Sequence, residues 1–284
     1  MNLLKERLIQ AALMALALSA IASLLVITVF ILREGLPVFA SVGLLKFLTG
    51  RTWAPTQGVF GILPMIVGSV WVTAGALLVG VPLGLSVAVF ATDYAPTVMA
   101  QIMRPAIQLL AGIPSVVYGF IGLKILVPLI RERLGGPGLS VLAGAIVLGI
   151  MIMPSVIAIS EDAIRAVPRA YRDGALALGA THWQSLWRVV LPAARSGIAA
   201  SVVLGMGRAV GETMAVIMVV GNSLRLPTSI LDPATTLTSN IGLEMGYASG
   251  AHRQALFATG IVLFFFIMLL NGAVTAFRRR PDRA

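Results

Sequence analysis

An arginine and a glutamate lie inside one of the longest apolar stretches of the sequence. Arg208 and Glu212 are the only charged residues between positions 197 and 221, and Thr213 follows the glutamate directly. A charge at the centre of a membrane costs about 2.5–3.5 kcal/mol on insertion scales, so two such charges are not expected to face lipid. Residues four apart share one face of a helix. If this stretch is helical, the two side chains therefore meet inside the protein.

The chemistry of this pair allows two interpretations. In the first, Arg208 and Glu212 neutralise each other and hold neighbouring helices together. In the second, they line a polar pathway, where the guanidinium offers two donors to a tetrahedral oxyanion and the Thr213 hydroxyl adds a third. Glu212 would then keep the guanidinium in place, or release it when the anion arrives. A lone carboxylate repels an anion, so Arg208 is the candidate for direct contact.

The composition around this pair is that of a membrane protein. The 284 residues are 58% hydrophobic and 11% charged, with a mean hydropathy of +0.96, whereas a soluble domain has about 25% charged residues. Several uncharged runs exceed the roughly 20 residues that cross a bilayer as a helix. The predicted class is an all-α polytopic membrane protein. The net charge of +10 is explained by the positive-inside rule, and no nucleic-acid partner is predicted.

The hydropathy pattern predicts six transmembrane helices. They cover residues 8–32, 63–91, 114–130, 139–160, 197–221 and 255–277. A short helix ending at Ala111 precedes the third span, because Gly112 and Pro114 interrupt the apolar run. An even number of spans puts both termini on one side. More basic residues fall on that side, including three consecutive arginines at 278–280, which predicts that both termini are cytoplasmic.

The longest polar interruption, residues 161–195, faces the cytoplasm in this topology. It is predicted to form two short helices, at 163–179 and 181–190, separated at Gly179, with Pro192 returning the chain to the membrane. An apolar stripe at helical spacing runs along the second helix: Trp183, Leu186, Trp187 and Val190. The periodicity fits a helix that lies on lipid headgroups and, equally well, a helix that enters a groove of a soluble partner.

A twenty-residue pattern in this loop resembles the EAA loop of bacterial ABC-importer permeases, whose usual form is Glu-Ala-Ala-x3-Gly-x9-Ile-x-Leu-Pro. The corresponding positions are Asp173, Gly174, Ala175, Gly179, Val189, Leu191 and Pro192. Three of them differ mildly from the usual residues, and the spacing is kept. In that family the loop docks onto an ATP-binding subunit, so the resemblance implies the same role here. The chain has no Walker A glycine loop, so it is predicted to be a non-enzymatic subunit with a separate ATPase.

Three further segments are similar to the permeases of phosphate-specific ABC importers. They are residues 60–64, 109–119 and 211–216. The last, followed by Gly221 and Asn222, is more similar to the PstC-type subunit than to its PstA-type partner. In that family the arginine and glutamate of this span are implicated in phosphate passage. The resemblance therefore implies that role for Arg208 and Glu212.

The resemblance also implies an architecture and a set of partners. The fold would be that of a type I ABC importer permease in the bacterial cytoplasmic (inner) membrane. Residues 1–58 would form a first helix with an extracytoplasmic segment, and residues 59–284 the permease core. The implied partners are a second permease subunit, two ATP-binding subunits, an extracytoplasmic phosphate-binding protein, inorganic phosphate and membrane lipid. The binding protein would face residues 33–58 and 222–254.

Some alternatives stay open at this point. The chain could be the sister PstA-type permease or a permease for another oxyanion. It could also be an ion channel or a proton-coupled carrier that uses Arg208 and Glu212 alone. No cofactor is predicted. The sequence has no cysteine and only two histidines, which are far apart, so no metal site is predicted either.

Overall fold

The computed structural model describes the backbone of residues 3–278 and the side chains of residues 6–272. The side chain of Lys5 and the arginines at 278–280, which contribute to the predicted orientation, lie outside the described side chains. The helices are α1 (Leu3–Val38), α2 (Leu44–Thr49), α3 (Leu63–Val89), α4 (Thr97–Gly112), α5 (Ser115–Ile121), α6 (Val127–Leu134), α7 (Val141–Arg165), α8 (Arg169–Ala177), α9 (His182–Ser185), α10 (Leu191–Gly211), α11 (Met214–Val219), α12 (Leu237–Glu244) and α13 (Gly250–Arg278). Strands β1 (Trp53–Ala54) and β2 (Val59–Phe60) form an antiparallel hairpin.

Five helical runs in the described chain are long and apolar enough to cross a membrane. They are Glu6–Thr49, Leu63–Tyr94, Val141–Arg165, His182–Gly211 and Gly250–Gly272. A sixth consists of Thr97–Gly112 and Ser115–Leu134, which are bent by 92° relative to each other. Pro114 lies at this bend in an extended conformation, so the predicted interruption there is confirmed. With the bent pair counted as one span, the prediction of six transmembrane helices is confirmed.

The first span is longer than predicted. α1 continues past position 32 to Val38, and a π-helical turn at Phe39–Gly43 joins it to α2. The extension packs against α13 at Gly35, where a Cβ would lie 2.7 Å from Ile261 Cδ1 and 2.8 Å from the Ala258 nitrogen. A small residue lets two helix backbones approach this closely. The polar stretch after position 32 is therefore partly a continuation of the membrane helix.

The fifth predicted span, 197–221, is wrong at both ends. The helical run begins at His182, passes Pro192 without turning, and ends at Gly211. Proline lacks an N–H, but Pro192 lies in the first turn of α10, where that donor is not needed. A π-helical turn at Leu186–Val190 directly precedes α10 and takes up the mismatch in hydrogen bonding.

The core forms where α3 and α7 cross. Glycines lie at the contact: a Cβ on Gly80 would meet the Gly149 carbonyl oxygen at 2.6 Å, and one on Gly84 would meet Val156 Cγ1 at 2.9 Å. These glycines let the backbones of α3 and α7 approach closely. Around the crossing, Leu148 and Ile152 are almost fully buried. This rigid pair of helices supports the 161–195 loop at the end of α7 and the Arg208 region of α10.

Candidate functional site

The 161–195 loop contains α8 and α9 with a tight turn between them. The Gly179 N–H donates to the Leu176 carbonyl at 2.9 Å, and the Ala180 N–H donates to the Ala175 carbonyl at 3.1 Å. These two bonds form a Schellman motif at the end of α8. Gly179 has φ +87°, a conformation that glycine adopts without the steric cost of a Cβ. The predicted separation of two helices at Gly179 is confirmed.

The start of each helix is also determined locally. α9 begins with a capping box, in which Thr181 Oγ1 accepts from the Gln184 N–H at 3.2 Å and Gln184 Oε1 accepts from the Thr181 N–H at 2.9 Å. α8 is shorter than the predicted helix 163–179, because the residue before a proline is disfavoured in helical conformation and Pro168 is itself extended. Residues 163–165 consequently belong to α7.

A buried carboxylate fixes both helices of the loop to the end of α3. The Asp93 side chain is 0% exposed and forms an ion pair with Arg172 of α8, whose side chain is 30% exposed. Asp93 Oδ1 also lies 3.7 Å from His182 Nε2 at the start of α9, and the Thr92 hydroxyl donates to Oδ2 at 2.9 Å. These contacts attach the loop to the end of α3. No local sequence pattern identifies Asp93, because its partners are distant in the chain.

The seven residues that match the EAA pattern divide into two groups. Asp173, Gly174, Gly179 and Pro192 are exposed, whereas Ala175, Val189 and Leu191 are partly or fully buried. Leu178, at the turn after α8, is 91% exposed, although an apolar side chain is stabilised by burial. The outward surface of the loop thus includes the exposed group and Leu178, which are accessible to a partner.

The apolar stripe on the second helix is divided between the core and the surface. Leu186 and Val190 are 1% exposed and pack with Ile164 of α7. Trp183 and Trp187 are 57% and 53% exposed, and their rings lie 5.4 Å apart in a tilted arrangement. One face of the stripe therefore packs on the protein's own core, which neither interpretation anticipated, and the other face is exposed.

Arg208 lies near the end of α10 and faces hydroxyl groups of two other helices. Its Nη1 donates to Ser155 Oγ of α7 at 3.3 Å, and the guanidinium interacts electrostatically with the Tyr118 hydroxyl of α5. Tyr118 in turn donates to the Leu110 carbonyl at 2.8 Å, next to the 92° bend. Among the described residues, no carboxylate lies within ion-pair distance of Arg208. Its guanidinium therefore keeps donors that could bind an anion.

Glu212 does not pair with Arg208, and the expectation of one shared helix face is wrong. α10 ends at Gly211, and Glu212 is extended, so the four-residue spacing no longer brings the two side chains together. Glu212 Oε1 accepts from the Ala215 N–H at 3.2 Å, and its carbonyl accepts from the Thr238 hydroxyl at 3.0 Å. The Thr213 hydroxyl is 3.3 Å from the Gly211 carbonyl. Glu212 and Thr213 thus form a non-helical break between α10 and α11, inside the span predicted at 197–221.

A partly buried carboxylate, Glu244, lies at the opposite end of α3, near the β-hairpin. Glu244 Oε2 accepts from Trp53 Nε1 at 2.8 Å and lies 2.7 Å from His252 Nε2. It joins the β-hairpin to α12 and α13. Desolvation and then the charge of Glu244 raise the pKa of the nearby Tyr247 hydroxyl. In the parts of the chain that the structure describes, no group of three or more His, Asp or Glu side chains could hold a metal ion.

The sequence is similar to known transport proteins over most of its length. Residues 80–283 match the family described as "Binding-protein-dependent transport system inner membrane component". The chain is 45% identical over 268 residues to the probable ABC transporter permease protein YqgH of Bacillus subtilis, covering 90% of this chain and 87% of the relative. It is 37% identical over 239 residues to the phosphate transport system permease protein PstC of Pasteurella multocida, covering 77% and 75%.

Solved structures share the fold at lower identity. A chain of a bacterial alginate ABC transporter superposes with a TM-score of 0.71 at 17% identity and covers 100% of this chain and 99% of that one. A chain of the MetNI methionine ABC transporter gives a TM-score of 0.55 at 19% identity, covering 79% and 99%. The fold is that of type I ABC importer permeases, as predicted. On the extent of these matches, the chain belongs to the family of binding-protein-dependent transport system inner membrane components, the permease subunits of ABC transporters.

Proposed function

We propose that this chain is a permease subunit of an ATP-driven phosphate importer of the bacterial inner membrane. The observation that carries this proposal is the 37% identity to relatives named as phosphate transport system permease protein PstC, over more than three quarters of the chain. The chain would form half of the translocation pathway together with a second permease subunit. It would itself catalyse no reaction, since ATP would be hydrolysed by two separate ATP-binding subunits.

Arg208 is the residue that would bind phosphate. Its guanidinium offers paired donors that match two oxygens of a phosphate, and the nearby Tyr118 and Ser155 present hydroxyl groups rather than competing charges. A Cβ built on Gly207 or Gly211 would have no atom within 4 Å, so the surface beside Arg208 is open. The second permease subunit would cover this surface and complete the pathway.

Glu212 and Thr213 would line the same pathway where the span is broken. Unwound segments inside a membrane are tolerated where protein or a water-filled cavity surrounds them. The Glu212 side chain accepts from the Ala215 N–H and so stabilises the start of α11. Its part would be to keep the break in place beside Arg208, with the Thr213 hydroxyl as an additional donor to the anion.

The outward surface of the 161–195 loop would dock onto an ATP-binding subunit on the cytoplasmic side. Asp173, Gly174 and Leu178 are exposed there, while Asp93 holds α8 rigidly. Extracytoplasmic segments 33–58 and 222–254 would receive a phosphate-binding protein. We also propose the division into residues 1–58 and a permease core at 59–284, within which the family match at 80–283 falls.

The direct test is labelled-phosphate uptake in a bacterial strain that lacks this chain, before and after the chain is restored. Uptake should return, and arsenate, with the same shape and charge, should compete better than sulfate. Equal competition by sulfate would indicate a permease for another oxyanion. Purification of the tagged chain should also recover an ATP-binding subunit. Uptake without such a subunit would indicate a channel or secondary carrier instead.

A further inference from the structure

The helix before the 92° bend is held loosely by the rest of the molecule. None of the sixteen residues of α4 is buried. The helix is preceded by Pro96 and followed by Ile113, both in extended conformations, so each end is a point where the backbone can change direction. Cavities of about 260 Å³ and 310 Å³ lie along its sides, and Arg104 lines both. α4 therefore has no buried side chain that fixes it to α7.

One ion pair joins α4 to the core. Arg104 donates to Glu161 Oε1 of α7 through Nε at 2.9 Å and through Nη2 at 2.8 Å. Within the described residues, this is the only ion pair made by α4. The Glu161 side chain is 8% exposed, and a buried carboxylate that loses its cationic partner is strongly destabilised. The position of Arg104, and with it α4, is consequently tied to that of Glu161.

The same carboxylate oxygen binds a second arginine at the entrance to the 161–195 loop. Arg165 donates to Glu161 Oε1 through Nε at 3.1 Å and through Nη2 at 2.9 Å. Arg165 is the last residue of α7, and α8 begins four residues later at Arg169. Glu161 thus contacts the helix that leads to the bend beside Arg208 and also the segment that leads into the proposed docking surface.

We propose that Glu161 is a positioning residue that carries movement of the 161–195 loop to α4, and so changes the bend next to Arg208. This inference rests on the proposed function, because it assumes that an ATP-binding subunit moves the loop. A displacement of α8 shifts Arg165 and Glu161, and the two bonds to Arg104 pull α4 with them. The Tyr118 hydroxyl, bonded to the Leu110 carbonyl near the other end of α4, brings the movement to the surroundings of Arg208.

The test compares transport with ATP hydrolysis in vesicles that contain the complete transporter and its binding protein. In Glu161→Gln, phosphate uptake should fall about tenfold, within the 5–150-fold range of typical coupling between sites. ATP hydrolysis should stay within about twofold of wild type, so the amount of phosphate moved per ATP falls. The control is Asp162→Asn, the adjacent carboxylate, which is exposed and should leave this ratio unchanged.

Two further variants keep the proposal open to refutation if Glu161→Gln assembles poorly. Arg104→Gln leaves Glu161 bonded to Arg165, so it should fold and show the same loss of phosphate per ATP, while Arg104→Lys should recover part of it. A parallel fall in uptake and hydrolysis, or an unchanged ratio in Arg104→Gln, would overturn the inference. If the wild-type vesicles themselves move no phosphate, the proposed function fails instead, so the two failures are distinguishable.

Discussion

The arginines of this protein face two different kinds of partner. Near the 161–195 loop, Arg104 and Arg165 share the carboxylate of Glu161, and Arg172 pairs with Asp93. Arg208, inside the membrane span, has instead a serine hydroxyl at 3.3 Å and no carboxylate within ion-pair distance among the described residues. The arginines near the loop are therefore neutralised by carboxylates. Arg208, beside the helix interruption at Glu212, has no such counter-charge in the described chain.

This difference separates arginines that maintain structure from one that is available to a ligand. Moving a carboxylate from water into the protein interior costs free energy, so Glu161 and Asp93 depend on their arginine partners in the folded protein. Arg208 carries its charge within the membrane, where neutral hydroxyl groups compensate it only partly. Under the proposed function, an anion that arrives from outside would supply the missing charge and would leave again without breaking an internal ion pair.

The largest expected effect is on transport in Arg208→Gln. Hydrogen bonds to charged groups contribute about 1.5–3 kcal/mol, so loss of the guanidinium should lower phosphate uptake about 10–150-fold. Assembly should be unaffected, because no carboxylate of the described chain depends on Arg208. The measurement is labelled-phosphate uptake, alongside recovery of the partner subunits with the tagged chain.

Two variants sharpen this prediction. Arg208→Lys keeps the charge without the paired donors, so its uptake should be intermediate. Ser155→Ala removes the hydroxyl at 3.3 Å and should change uptake far less than loss of the charge. If Arg208→Gln instead prevents assembly, Arg208 has a structural role. That result would favour the alternative interpretation, in which it holds neighbouring helices together.

A smaller effect, on stability and docking, is expected from Asp93→Asn, which changes the carboxylate partner of an arginine. The change leaves Arg172 without its counter-charge and frees α8. The free energy of unfolding should fall by about 1–3 kcal/mol, less than for fully buried pairs, because Arg172 is 30% exposed and can be hydrated. Thermal unfolding of the purified chain measures the stability, and recovery of the ATP-binding subunit measures docking; both should decrease.

Asp173→Asn is the matched control for this second prediction. Asp173 lies one residue after Arg172 on α8, is exposed, and makes no ion pair within the described residues. The variant should unfold at the wild-type temperature. Equal destabilisation by both variants would mean that general surface charge, rather than the buried carboxylate, holds the loop.

The structural features that the sequence predicts correctly depend mostly on residues that are close together in the chain. The turn at Gly179 and the helix start at Thr181 depend on hydrogen bonds between residues within five positions of each other, so pattern and spacing suffice. The six spans follow from the lengths of apolar runs, and the EAA pattern from fixed spacing in one loop. None of these features requires knowledge of which helices are neighbours in space.

The features that could not be predicted depend on contacts between distant residues. Arg104 and Glu161 are 57 positions apart, and no periodicity relates them. The break at Glu212 is stabilised by the Thr238 hydroxyl, so local helix preference alone favours an uninterrupted span. Pro192 is a helix-ending signal in most contexts, but a preceding π-helical turn lets the helix continue. In each case tertiary contacts or an unusual backbone turn outweigh the local signal.

A third prediction tests how strictly the loop depends on its turn. Gly179→Ala should destabilise the chain by about 1 kcal/mol, since a Cβ is strained at positive φ. Gly174→Ala should instead be neutral or stabilise by about 0.5–1 kcal/mol, because it lies within α8 with open space around it. Unfolding temperatures of the two purified variants make the comparison. Equal effects of the two substitutions would contradict the assigned turn.

The smallest expected effect concerns Asp232, a carboxylate that makes no ion pair within the described part of the chain. Its Oδ2 accepts from the Thr228 N–H at 2.8 Å, the Thr228 hydroxyl at 2.9 Å and the Ser229 N–H at 2.9 Å. These bonds stabilise the ionised form and hold the pKa of Asp232 below its ordinary value. It differs from Asp93 in that its partners are neutral and its surroundings accessible to water.

Because the pKa of Asp232 is lower in the folded protein than in the unfolded chain, the bonds stabilise the turn fully above the unfolded pKa of about 3.9. That stability is lost as the pH falls through the folded pKa. Amide hydrogen exchange at Thr228 and Ser229, corrected for the intrinsic pH dependence, should therefore accelerate only at acidic pH. In Asp232→Ala, which removes the accepting oxygen, the same amides should exchange quickly already at pH 7, with the rest of the chain unchanged. If these amides remain protected from exchange in this variant, the backbone alone determines the turn. The Asp232 carboxylate would then have no structural role, in contrast to Asp93 and Glu161.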